Sequence, residues 1–392
     1  DAVEKLRVRS AYKPQTRVGP LIRPPSGVLE AALKTLEPGE SWAVMPRQVG
    51  DNPHLWSPGV KYGVSRGSVT HRTEFFGPVL GVMRFESPAE AIDTVNATGY
   101  GLTSAIHSLD DREIEQWRRG IRAGNLYVNR GTTGAVVLRQ PFGGLGLSSV
   151  GPGLKAGGPN YPATMMNFVD ADLPTVEANA EAPSGDIDHP DLAALAVCCD
   201  PADADDRRLS AALASYNRAW RDEFSREHDH FRLLGQDNVR SYLPFGEICV
   251  RIVPSDSRFE VFARIAAARV TGARVLASFA PDCSPALFQQ VDEWTDSWAA
   301  GIELLEETDE QLPAHLERHA DIRIRYAARD RVPAEVRRAA TRRGAWLADV
   351  PVVSDGMVEL LWYVREQSLS HDYHRYGNLG VRADEPRRPL KT

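Results

Sequence analysis

Two spacings of apolar residues alternate along the first 130 positions of this chain. In "SGVLEAALKTL" (26–36) they recur about every 3.6 residues, which predicts an amphipathic helix. "SPAEAIDTVNAT" (87–98) predicts another, with a Ser cap, Pro at the first helical position and a stop near Gly99. "DREIEQWRRGIRAG" (111–124) predicts a third, closed by Gly124. Between them lie short apolar runs that predict strands: "VLGVMRF" (79–85), "LTSAIHS" (102–108) and "NLYVN" (125–129). Strand, helix, strand in that order implies parallel pairing through helical crossovers, an α/β sheet.

After residue 130 the pattern changes. Residues 130–160 are dense in glycine and predict loop rather than core. "YPATMMNFV" (161–169) reads as a lone flap strand that must find its partner in another element or another subunit. Residues 171–190 have the Ala, Pro, Glu and Asp content of a linker, so a domain boundary is expected there, with one domain over 1–170 and a second over 191–392. The second alternates again. Helices are expected in 204–227, 257–272, 284–301 and 333–344, and strands in 246–253, 273–280 and 321–327, a doubly wound Rossmann-like α/β domain. It lacks a strand-turn-helix Gly-x-Gly-x-x-Gly fingerprint, so nucleotide binding is not expected there. The tail "VREQSLSHDYHRYGNLGVR" (364–382) has no clear period but is too aromatic for a plain disordered end, so it is expected to dock. At the other end, "DAVEKLRVRSAYKP" (1–14) has apolar residues at helical spacing and enters as if mid-helix, without Met or a clear cap. The chain therefore reads as the C-terminal piece of something longer.

With 392 residues, two domains fit better than one core. A net charge of -7 speaks against nucleic acid as a partner, and no apolar run has the length of a membrane span. No signal peptide opens the chain, and the four cysteines, Cys198, Cys199, Cys249 and Cys283, show neither metal spacing nor a disulfide framework, which fits a cytoplasmic setting. Cys283 precedes a helix start, a place that lowers thiol pKa values, although a structural role is commoner. His371 and His374 lack a third ligand nearby, so no metal is expected. "GGLGLSSVG" (143–151) imitates a phosphate loop without the required glycine spacing.

The stretch "TEFFGPVLGV" (73–82) puts Glu74 and Phe76 beside a Gly-Pro turn at the start of a predicted strand. A carboxylate and a ring at the end of a parallel sheet suit a ribose and a flat heterocycle, but a surface acid beside a core phenylalanine suits the spacing as well.

Four segments decide more. "HRTEFFGPVLGVMRF", "NATGYGLTSAIHS", "AGNLYVNRGTTGAVVLRQPFGGLG" and "GPGLKAGGPNY" together resemble the aldehyde dehydrogenase superfamily, and more closely the Δ1-pyrroline-5-carboxylate dehydrogenase part of the bifunctional proline-utilisation flavoenzymes. The resemblance spans residues 1 to about 165 and implies the C-terminal half of an aldehyde dehydrogenase catalytic domain. It implies that Glu74 holds the nicotinamide ribose of NAD and Phe76 lines the nicotinamide pocket. Gly134 and Ala135 would anchor the α-carboxylate of glutamate semialdehyde through main-chain N–H groups, and Phe142 would wall the aldehyde pocket. The nucleophilic Cys and general-base Glu of such enzymes would precede Asp1, as would a proline dehydrogenase part with FAD, so the partner is the upstream half of the same polypeptide and residues 1–392 alone are expected to be inactive. Residues 191–392 resemble, more loosely, an extra non-catalytic domain that covers the dehydrogenase site and helps seal a path between two active sites, its tail docking against the flap strand. A monofunctional aldehyde dehydrogenase and a non-catalytic assembly module are the alternatives. A monomer and a homo-oligomer both stay open, as does a peripheral inner-membrane location of the longer enzyme.

Overall fold

The computed structural model describes residues 1–170, 187–318, 322–374 and 376–387. The described chain forms two compact units, residues 1–99 with 115–121, and residues 100–114 with 122–392. Chain from both sides of the expected 171–190 linker thus belongs to one unit; most of that linker lies outside the described residues.

The first unit contains α1 (Gly27–Lys34), β1 (Ser41–Val44), β2 (Gly59–Tyr62), α2 (Val69–Arg72), β3 (Val79–Val82), α3 (Pro88–Asn96) and the last residues of α4 (Asp111–Gly120). β1 runs antiparallel to β2, and β2 runs parallel to β3. The Ser87 side chain caps α3 by accepting from the Glu90 N–H (3.2 Å), with Pro88 in the first turn, as the sequence predicts. Lys61 is buried but paired with Glu40 at 3.0 Å. The expected N-terminal helix is absent. Residues 2–5 form turns and Val8 bridges Val18. Val3 is only half-buried and Leu6 exposed, so no packed face supports a helix there. α4 ends at Gly120 rather than Gly124; Gly124 has a different task, described below.

The second unit is built on two four-stranded sheets. Its elements continue with β4 (Tyr100–Gly101), β5 (Thr103–Ile106), β6 (Asn125–Val128), β7 (Leu145–Gly146), α5 (Pro190–Val197), α6 (Ala204–Ala219), β8 (Gln236–Pro244), β9 (Glu247–Ile252), α7 (Arg258–Val270), β10 (Arg274–Phe279), α8 (Pro285–Thr295), β11 (Ile302–Glu306), α9 (Pro313–Arg318), β12 (Ile322–Arg325), α10 (Ala334–Arg343), α11 (Gly356–Glu359) and β13 (Val364–Asp372). One sheet has the order β11-β10-β9-β12, all parallel, and is the predicted doubly wound sheet. Its two inner strands, β9 and β10, are buried along nearly their whole length on both faces because helices cover them. α7 packs ten buried residues among its thirteen, from Phe259 to Val270, and starts in a capping box of Ser257 and Glu260.

The other sheet has the order β5-β6-β13-β8. β6 pairs in parallel with β5 and with β13, and β8 runs antiparallel to β13 along nine residue pairs. The tail therefore docks, but as an inner strand against Asn125–Val128, not against a flap strand. No flap strand forms: residues 161–165 are a 3-10 turn, with Pro162 fixing φ in its first turn, and Phe168 packs on the core. Asp170 accepts from the Ser354 amide and hydroxyl and pairs with Arg208 at 2.9 Å.

Candidate functional site

In the first unit, Glu74 and Phe76 lie on the loop between α2 and β3. The Pro78 carbonyl accepts from the Gly59 N–H (2.8 Å), which ties the end of this loop to β2. Phe76 has φ 52°, the left-handed region that a bulky side chain rarely adopts, and its ring is 81% exposed. Such a conformation costs of order 1–3 kcal/mol and marks places where the backbone is bent for a purpose. Here it turns an aromatic face to the outside, two residues from the exposed Glu74 carboxylate.

In the second unit, Gly134, Ala135 and Phe142 lie on one loop, residues 129–144, that leaves β6. The loop doubles back at Val136 and Gln140, whose main chains exchange hydrogen bonds of 3.2 and 2.7 Å. Gly134 has φ +120°, where any side chain would be strained. Its carbonyl accepts from the Tyr127 hydroxyl (3.1 Å). The buried Gln140 amide, turned so that both ends are satisfied, donates to the same carbonyl (3.0 Å) and accepts from Arg130 Nη1 (2.7 Å) and from the Ser370 hydroxyl of β13 (2.6 Å). With its carbonyls tied inward, the loop turns Gly134 and Ala135 outward. Both residues are exposed, and among the described residues neither main-chain N–H has a hydrogen-bond partner. Two adjacent free amides can take an anion as partner.

The Pro-Phe-Gly-Gly turn is held at three of its carbonyls. Ser368 of β13 donates to Pro141 O (2.8 Å), the Ala156 N–H donates to Phe142 O (3.1 Å), and Asn125 Nδ2 donates to Gly143 O (3.1 Å). Phe142 is half-buried. Gly124 is needed here: a Cβ on it would lie 2.0 Å from Gly143 O and 3.0 Å from Lys155 Nζ. Gly124→Ala is expected to destabilise this unit by about 1–3 kcal/mol through overpacking, read as a lowered unfolding midpoint; an unchanged midpoint would show that the turn is not so held.

The four thiols are all held toward the protonated form. Burial pushes all of them up, Cys199 to about 12, and it raises Cys283 despite that residue's place before α8. Among the described residues no group of three or more His, Cys, Asp and Glu is set to hold a metal ion. No described helix is long and apolar enough to cross a membrane.

Residues 1–169 match the aldehyde dehydrogenase family. This stretch is similar to the C-terminal part of an aldehyde dehydrogenase. Over 90 residues, 22% of this chain and 7% of the relative, the chain is 54% identical to the "Bifunctional protein PutA" of Rhizobium meliloti. It is 35% identical over 159 residues to the 1-pyrroline-5-carboxylate dehydrogenase of Bacillus subtilis, covering 40% of this chain and 30% of that one. Among solved structures, Proline Utilization A from Corynebacterium freiburgense is 37% identical with a TM-score of 0.74, over 96% of this chain and 34% of that chain. The chain thus spans about a third of the length of that solved relative and less of the curated ones.

The sequence did not single out Tyr127, Gln140, Lys155, Ser368 or Ser370, although the first three lie inside the motif segments. These are buried polar groups in or against a glycine-rich loop. The one available signal was a lysine set among glycines in "GPGLKAGGPN" (151–160).

Proposed function

We propose that this chain is the C-terminal part of an NAD-dependent dehydrogenase that oxidises L-glutamate γ-semialdehyde, formed from Δ1-pyrroline-5-carboxylate, to glutamate in proline catabolism. The observation that carries the reading is the pair of free amides at Gly134 and Ala135, a match for a substrate that bears both an aldehyde and a carboxylate. The likeness to the 1-pyrroline-5-carboxylate dehydrogenase of Bacillus subtilis and to the bifunctional PutA of Rhizobium meliloti supports it.

The Glu74 carboxylate accepts hydrogen bonds from ribose hydroxyls, and the outward Phe76 ring packs on the nicotinamide. An exposed acid and an exposed ring two residues apart fit that group. Bound NAD supplies the hydride acceptor. Gly134 and Ala135 grip the acid end of the substrate, and Phe142 walls the aldehyde end and keeps water off it. The nucleophilic Cys and the general-base Glu come from the preceding part of the polypeptide, in keeping with four thiols raised by burial. A proline dehydrogenase part with FAD precedes them in the longer enzyme. Residues 1–170 form the dehydrogenase part and 191–392 a non-catalytic domain that covers it and helps to seal a path for the intermediate. The enzyme works in the cytoplasm.

The test is the complete polypeptide assayed for NADH formation with glutamate semialdehyde against propanal. A preference for the acid aldehyde of at least about tenfold in kcat/KM is expected from charge-assisted hydrogen bonds to its carboxylate. Equal rates would overturn the anchor. Glu74→Gln is expected to raise the KM for NAD several-fold with little change in aldehyde KM; steady-state kinetics in which only the aldehyde KM moves would reassign the residue.

A further inference from the structure

Lys155 is the residue that the proposed chemistry leaves unused and the structure does not. It is 1% exposed. Its Nζ donates to Asn125 Oδ1 (2.9 Å) on β6 and to the Gly143 carbonyl (2.5 Å) in the turn that carries Phe142. Both acceptors are uncharged. The buried carboxylate nearby, Glu366 of β13, is spent elsewhere: it accepts from the main-chain N–H of Lys155 (2.7 Å) and from Asn160 Nδ2 (2.8 Å). An ammonium buried on neutral oxygens is costly, and an apolar side chain of equal volume would cost less. Burial pulls the amine down to about 7, opposed by Glu366. Around it the packing leaves no slack. Cβ atoms placed on Gly124 or Gly143 would meet Lys155 atoms at 3.0 and 3.3 Å. The next residue, Ala156, exchanges two main-chain hydrogen bonds with Phe142, at 2.9 and 3.1 Å. Lys155 therefore grips the Phe142 turn from two sides, through its own side chain at Gly143 and through its neighbour at Phe142.

We propose that Lys155 is a positioning residue for the aldehyde-binding wall: by holding the Gly143 carbonyl against Asn125 it sets where the Phe142 ring stands, while Glu366 fixes the main chain from which it reaches. This rests on the reading of Phe142 as the wall of the aldehyde pocket. It assigns to the lysine of "GLKAGG" (153–158) a task in aldehyde binding and none in holding NAD.

The test uses the complete polypeptide carrying Lys155→Met, which keeps length and bulk and removes the donor. Two readouts are taken. In steady-state kinetics, kcat/KM for glutamate semialdehyde is expected to fall about 10–100-fold, the scale of a misplaced binding wall, while the KM for NAD stays within about twofold. In hydrogen–deuterium exchange, the amides of Phe142 and Ala156 are expected to exchange faster, with those of β9 and β10 unchanged. Equal losses for aldehyde and NAD, or no loss for either, would overturn the proposal, and so would unchanged exchange at Phe142 and Ala156. If Lys155→Met does not fold, Lys155→Gln, which retains a donor, takes its place with the same expected directions and smaller size. If the wild-type enzyme does not oxidise the semialdehyde, the functional reading fails, and the exchange experiment still decides whether Lys155 holds the turn.

Discussion

Glu359→Leu is expected to cost the second unit about 3–5 kcal/mol, the penalty for stranding one charge of a buried pair. Glu359, at the end of α11, and Arg325, at the end of β12, are both 0% exposed and lie 2.7 Å apart. The carboxylate also accepts from the Tyr363 hydroxyl (2.8 Å) and from the Val353 N–H (3.1 Å). The guanidinium spends its other donors on carbonyls of the 348–351 segment, including Val350 O at 2.6 Å. The carboxylate at its side holds Arg325 firmly charged, so losing Glu359 cannot be relieved by deprotonation. At about 2–4 °C per kcal/mol for a unit of this size, the unfolding midpoint should drop by roughly 6–20 °C. Calorimetry of the wild-type and variant proteins checks this. Glu359→Gln, which keeps an acceptor, should lose less. A Glu359→Leu protein that melts within a degree or two of wild type would mean that the pair supports nothing that apolar packing cannot replace.

The second large effect falls on activity. Gly134→Val in the complete enzyme is expected to lower kcat/KM for glutamate semialdehyde by about 10–150-fold, the scale of one charge-assisted hydrogen bond of 1.5–3 kcal/mol. Two causes act together. A branched side chain cannot take φ +120° without strain, so the main chain moves and the Gly134 and Ala135 amides move with it. The space around the site is open: the nearest atom to a Cβ at position 134 would be in the Gln140 side-chain amide, at 3.5 Å. The fold itself therefore tolerates the change, and stability should hold. NAD binding, measured by titration, should not move. Equal loss of cofactor and aldehyde affinity would count against the anchor.

Much of the second unit was legible because its strands announce themselves. "GEICVRIV" and "ARVLASFA" (246–253 and 273–280) are mostly apolar runs buried on both faces of a parallel sheet, punctuated by glycine and followed by helices, the first opened by the Ser257–Glu260 capping box. β13 hid for the opposite reason. Glu366, Gln367, Ser368 and Ser370 are polar and buried together, and what satisfies them comes from residues more than 200 positions away. No local pattern records such partners. The lone strand expected at 161–169 failed on Pro162, and the opening helix failed because its apolar residues meet no core. The candidate site divides in the same way. Glu74, Phe76, Gly134, Ala135 and Phe142 were singled out by motif resemblance, and their spacing alone did not separate them from surface residues. Tyr127, Gln140 and Lys155 lie in the same motif segments but were not legible, since spacing does not tell a side chain that holds a carbonyl from any other polar residue.

The pairing of β6 with β13 joins Leu126 to Leu369. A ribosome adding about 5–20 residues each second needs roughly 12–50 seconds to travel between them. Throughout that interval one side of β6 stands as an open edge, with unsatisfied amides and carbonyls and a buried-type sequence, "NLYV". During synthesis the nascent protein must shield that edge by other means, and chains released early, before residue 364, would carry it permanently into solution as a seed for aggregation.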